Sequence, residues 1–209
     1  MKLVTCDLRK LLDKNALLMS LMALICSFMA LFFADGGSGE VIAIIKVDGI
    51  LILFLMFGVE LAKNTLVDDK ISKKLEFLLA NGLSIKKILG KYLFSIYLGT
   101  LIIVLPSLIL NLVKLNLSLI IGINLIISSF LYTLIIVLII LCIRNMNKLN
   151  SLQIRLIGLS LLVMTLSILV YNFTNSLAFY LLTKLLILGS ISIFLGINTN
   201  KERIVVSYY

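Results

Sequence analysis

Glu60 to Lys91 reads ELAKNTLVDDKISKKLEFLLANGLSIKKILGK, the one long polar interruption in a chain that is otherwise apolar. It carries seven lysines and four acids between two strongly hydrophobic segments. The chain around it has 209 residues, of which 61% are hydrophobic, and a mean hydropathy of +1.18. A soluble fold cannot hide that much apolar surface, so the class is a polytopic membrane protein. A helix needs about 20 mostly apolar residues to cross roughly 30 Å of hydrocarbon. Six such spans are predicted: Ala16–Phe33, Ala43–Leu61, Tyr92–Leu112, Leu117–Ile143, Leu156–Val170 and Leu177–Ile197. Barrel strands would be about 10 residues long with strict alternation, whereas runs such as LIIVLPSLILNL at 101–112 are continuously apolar. The expected fold is all-α, one transmembrane domain over residues 1–209, with the 60–91 connection between spans two and three.

Charge sets the expected orientation. Lys2, Arg9, Lys10 and Lys14 precede the first span, seven lysines lie in 60–91, Arg144, Lys148 and Arg155 separate spans four and five, and Lys201 and Arg203 follow the sixth. Only Lys46, Lys114 and Lys184 belong to the alternate side. The positive-inside rule then places both termini and the 60–91 connection in the cytoplasm. The net charge of +9 is read as attraction to anionic membrane lipid and topology setting, not nucleic-acid binding, since no basic run is interleaved with aromatics. Ala34-Asp35-Gly36-Gly37 is a poor cleavage site, so the first span is expected to be retained. Cys6, Cys26 and Cys142 are widely separated, two inside apolar spans and one on the cytoplasmic flank, so neither a disulfide framework nor a zinc spacing is offered. A composition rich in Lys, Asn and Ile is that of a low-GC bacterium, which implies the plasma membrane.

Several chemistries are missing. With no histidine in the chain, Ser-His triads and histidine-ligated metal or haem sites are excluded. No GxxxxGK[ST] loop is present, so ATP is not bound by that route. Asp68-Asp69, the adjacent carboxylate pair, is expected to form solvated salt bridges with its lysine-rich surroundings. No catalytic residue, metal or cofactor is expected on this chain.

The polar connection itself divides into parts. Ile71, Leu75, Leu78 and Leu79 follow a helical period with Lys73, Lys74 and Glu76 opposite. Asn81-Gly82 reads as a helix end with a left-handed glycine, and Ser84 is placed to cap a second helix from Ile85 to Lys91 that enters span three. A linker, an amphipathic helix, a glycine turn and a second helix are therefore predicted. A helix that merely lies on lipid would also accept this lysine-rich face, but would not need the break.

The run from Asp69 to Ser84, DKISKKLEFLLANGLS, with Ile88 and Gly90-Lys91 after it, resembles the signature of type-2 ABC exporter permeases. That signature has an acidic-basic lead, a Leu-Glu-x-Leu-Leu core, a turn with a Ser, and a Gly-Lys opening the third span. Six spans with both termini inside agree with it. The motif-level likeness covers about Glu60 to Pro106; Lys73-Lys74 stand where Gly-Thr is frequent, and Gly82 where proline is frequent. The resemblance implies a coupling helix docked on a separately encoded ATPase, two copies of which bind ATP and Mg and rock two permease subunits, identical or homologous. By position, Ser72, Lys73, Lys74, Leu75, Glu76, Leu78, Leu79, Asn81, Gly82, Leu83 and Ser84 would form the docking element. Leu75, Leu78 and Leu79 would fill the partner's groove, with Glu76, Lys73 and Lys74 on its rim.

Charges inside the spans complete the expectations. Lys46 is expected to snorkel, and Lys184 either to face a cavity or to pair with Asp48. Pro106, the sole proline, is expected to kink span three. Asp48, Lys184 and Pro106 are thus the translocation-pathway candidates. The small residues Gly122, Ser128 and Ser129 in span four and Gly189, Ser190 and Gly196 in span six are at an ordinary frequency for membrane helices. An apolar path with few fixed charges favours a small amphipathic peptide or lipid as cargo. The alternatives are a haem-exporter permease, the substrate-binding subunit of a vitamin importer, whose cytoplasmic connections would be short, and a membrane immunity or regulatory protein with no transport role.

Overall fold

The computed structural model of the chain describes residues 14–33, 40–115, 119–143 and 151–199. The basic residues Lys2, Arg9, Lys10, Arg144, Lys148, Lys201 and Arg203, Cys6, and the connections at 34–39 and 116–118 lie outside them. The described residues are helical in long runs, as continuous hydrophobicity without breakers requires. In chain order these are α1 (Lys14–Phe33), α2 (Glu40–Ala62), a π-helical stretch (Lys63–Val67), α3 (Asp68–Ile71), α4 (Lys74–Ala80), α5 (Ile85–Leu115), α6 (Leu119–Cys142), α7 (Leu152–Thr174) and α8 (Leu177–Ile197).

Among the described residues, five helical segments are long and apolar enough to cross a membrane: Asp48–Ile71, Ile85–Asn111, Ile120–Cys142, Leu152–Thr174 and Leu177–Ile197. The first predicted span falls on α1, whose apolar part Ala16–Met29 is shorter. Leu17, Leu18, Leu21, Met22 and Phe28 are exposed along it, while Ala23 is fully buried and Ser27 meets Ser107 of α5 through their hydroxyls.

α2 and α6 form the centre. α2 packs against α5, α6 and α7; α5 also touches α1 and α6; α8 rests on α6 and α7. The core runs through Leu51, Phe54, Leu55, Val59, Ile96, Ile135 and Ile136. At Gly58 the helices come close, for a Cβ there would lie 3.4 Å from Ile136 Cδ1 and 3.6 Å from Thr100 Oγ1. The small residues noted in the sequence behave differently: Ser128 and Ser129 are buried, but Gly122, Gly189 and Gly196 border open space. Phe54, Tyr97 and Phe130 lock α2, α5 and α6, with Tyr97 edge-on to Phe130 at 5.5 Å. Outward-facing leucines, isoleucines and phenylalanines are numerous, as lipid-facing helices demand.

Two boundaries differ from expectation. α7 runs to Thr174, so Asn175 and Ser176 alone join it to α8. Asn175, at φ 48°, closes α7 by giving its amide to the Tyr171 carbonyl at 2.7 Å, the left-handed cap asparagine tolerates. The expected linker after Leu61 is instead helical to Ile71, because the rod of α2 continues through the π-helical stretch into α3.

Candidate functional site

The 60–91 connection is built on the end of that rod. After α3 the chain turns at Lys73, whose φ of 57° is left-handed, and restarts as α4. The break rotates α4 relative to α3, so the apolar residues that share one helical face in the sequence are split. Ile71 is 64% exposed, whereas Leu75 is 1% exposed and sits in the core. Leu78, Leu79 and Leu83 are half-buried and pack against the same core. The free apolar side chain of α4 is Phe77, 68% exposed. Of the residues expected to fill a partner's groove, Leu75 is turned inward, and Leu78 and Leu79 pack α4 against the bundle.

The end of α4 is as the sequence predicts. Leu83 donates its amide to the Leu78 carbonyl and Gly82 to Leu79, each at 3.2 Å, with Gly82 at φ 79°. Those two bonds are the Schellman motif, and half-buried Leu83 and Leu78 provide the apolar pair that accompanies it. Ser84 then begins α5, its carbonyl accepting from Lys87 at 3.0 Å and Ile88 at 3.2 Å. Ser72, Lys73, Lys74, Asn81, Gly82 and Ser84 are exposed and Glu76 half-buried, so a solvated rim surrounds Phe77.

The sequence marks Asp69 only as one of an adjacent carboxylate pair, and it gives Lys70 no role of its own. Lys74 Nζ contacts both Asp69 carboxylate oxygens at 2.9 Å, and the Tyr92 hydroxyl donates to Oδ2 at 2.5 Å. The salt bridging expected of the Asp68-Asp69 pair is thus made by Asp69, and it is partly buried, not freely solvated. Lys70 is 1% exposed, and its ammonium donates to the carbonyls of Ile140 (3.1 Å), Leu141 (3.2 Å) and Ile143 (2.5 Å). A lone buried lysine in a lysine-rich stretch leaves no mark in the sequence; only the position of α6 makes it special.

A second polar cluster lies within the bundle. Lys184 Nζ donates to Asp48 Oδ1 and the Tyr180 hydroxyl to Oδ2. Asp48, Lys184 and Tyr180 are 4%, 3% and 1% exposed, so Lys184 makes the expected pairing with Asp48, and both also border a small cavity. Removing two charges from water is costly unless geometry and further hydrogen bonds compensate; Tyr180 supplies the extra donor. The adjoining cavity, bordered by Tyr132, Ser160 and Met164, is about 10 Å³, at the lower limit for a single water. Nearby, Asn124 Nδ2 donates to the Leu181 carbonyl at 3.3 Å, tying α6 to α8. Pro106 lies inside α5 without ending it. Lys46 is half-buried.

An open cavity of about 280 Å³ lies between the ends of α6 and α7, lined by Ile139, Ile143, Leu152, Leu156 and Leu159 with Arg155. Among the described residues no group of His, Cys, Asp or Glu could hold a metal ion. Comparisons with protein-family models, curated proteins and solved structures gave no match.

Proposed function

We propose that the chain is the transmembrane permease subunit of an ABC-type exporter, driven by a separate ATPase that docks on residues 72–84. The observation that carries the reading is Phe77, an exposed aromatic on a short helix that Leu75, Leu78 and Leu79 fix to the bundle. A rigid, exposed aromatic with a polar rim is the anatomy of an interface anchor. Two ATPase copies, binding ATP and Mg, and a second permease subunit complete the assembly in the bacterial plasma membrane. In this reading α1 is a sixth span, both termini are cytoplasmic, and the cargo is a small amphipathic peptide or lipid. Asp48 and Lys184 form a closed tie between α2 and α8 beside the path, and Pro106 gives α5 a place to bend.

The test is co-purification of the intact chain with the ATPase encoded beside it. Wild type should retain a protein carrying a phosphate loop; Phe77→Asp should weaken retention by about 30-fold, the worth of one hot-spot residue, with an unchanged elution profile in detergent. If wild type retains no such protein, the permease reading fails and a free-standing immunity or regulatory protein takes its place.

A further inference from the structure

The docking reading makes no use of Lys70. α6 ends at Cys142, and the carbonyls of Ile140 and Leu141 in its last turn, with that of Ile143 just beyond, accept from the Lys70 ammonium. An ammonium with three donors suits such a cluster of carbonyls, and the cation also faces the negative end of the α6 dipole. Asp69, the residue before, faces the other way and holds Lys74 and Tyr92. One turn of α3 therefore grips α6 on one side and α5 with the start of α4 on the other.

We propose that Lys70 is a latch at the connection end of the bundle: while its ammonium caps α6, α3 and α6 are closed on each other, and rotation of α3 withdraws the cap and frees the end of α6. Two backbone features suit α3 to such a rotation. The π-helical stretch Lys63–Val67 lies directly before it, a geometry concentrated at functional sites, and the left-handed Lys73 follows it, a strained joint. α3 is thus a single helical turn between two irregular hinges. The latch goes beyond the permease reading and does not require it.

Cys142 supplies a native reporter. It is half-buried at the end of α6, its sulfur 3.6 Å from Thr199 Oγ1. In a Cys6→Ser, Cys26→Ser background, the purified chain in detergent micelles is labelled with a small maleimide. Lys70→Met should raise the Cys142 labelling rate about tenfold, as expected when a local opening becomes easier. A companion chain carrying Cys142→Ser and Ser128→Cys reports the middle of α6, where Ser128 is fully buried; its rate should not change. Should Lys70→Met fail to fold, Lys70→Gln, which keeps a donor for fewer carbonyls, is read in the same way. A rise at Cys142 below about threefold overturns the latch. So does a parallel rise at position 128, which would make Lys70 a general stabiliser of the fold.

Discussion

At the scale of single residues, the backbone of Lys73 is the most exposed to test. A left-handed non-glycine costs roughly 1–2 kcal/mol, and Lys73 is exposed with φ 57°. Lys73→Gly should therefore raise stability by about 0.5–1 kcal/mol and Lys73→Val lower it by about 1–2 kcal/mol, read as thermal unfolding in detergent. The buried pair gives a second outcome. Asp48→Leu or Lys184→Met alone should cost about 3–5 kcal/mol by stranding the other group, while the Asp48→Leu, Lys184→Met double variant should recover most of that loss. A double-mutant cycle on the same unfolding signal measures it. Asp48 and Lys184 were legible in the sequence because each interrupts an apolar run, so its charge needs a partner. Lys70 was not, because among seven lysines of one polar stretch composition gives every one the same solvated reading.

For the elements, phase decides more than pattern. The period Ile71, Leu75, Leu78, Leu79 describes one continuous helix, yet the break at Lys73 sends Ile71 outward and Leu75 inward. Apolar spacing marks a helix face only while the helix is unbroken, and nothing in a Lys-Lys pair announces a left-handed residue. The π-helical stretch sets phase too, through its wider turn. Deleting Thr65 should convert it to α-helix and swing Asp69 and Lys70 by about 100°, stripping both sets of hydrogen bonds. The expected loss is at least about 2 kcal/mol of stability, measured by thermal unfolding. α2 offers a packing test at Gly58: Gly58→Ala should be tolerated, since its Cβ would meet ordinary contacts. Gly58→Leu should cost about 1–3 kcal/mol by forcing α2 away from Ile136 and Thr100. The Schellman end at Gly82, by contrast, was read correctly from Asn81-Gly82 alone, because the chemistry of that turn is local.

On the scale of the whole molecule, the asymmetry of Lys and Arg predicts that the amino terminus and the 60–91 connection share the cytoplasmic side. In intact cells, a membrane-impermeant maleimide should label Ser38→Cys from outside and leave Cys6 and Ser84→Cys unlabelled until the membrane is permeabilised. Labelling of Ser84→Cys in sealed cells would invert the orientation, and equal protection of Ser38→Cys and Cys6 would remove α1 from the spans. By itself the sequence determined the helical class, the membrane-length segments after the first and the turn at Gly82, because each follows from composition or from a few neighbouring residues. The tertiary structure decided that Phe77 and not Leu75 faces outward, that Lys70 caps α6 and that Asp48 meets Lys184. Those depend on which face each helix turns to a neighbour far away in the chain, and that rotation is fixed only when the helices pack.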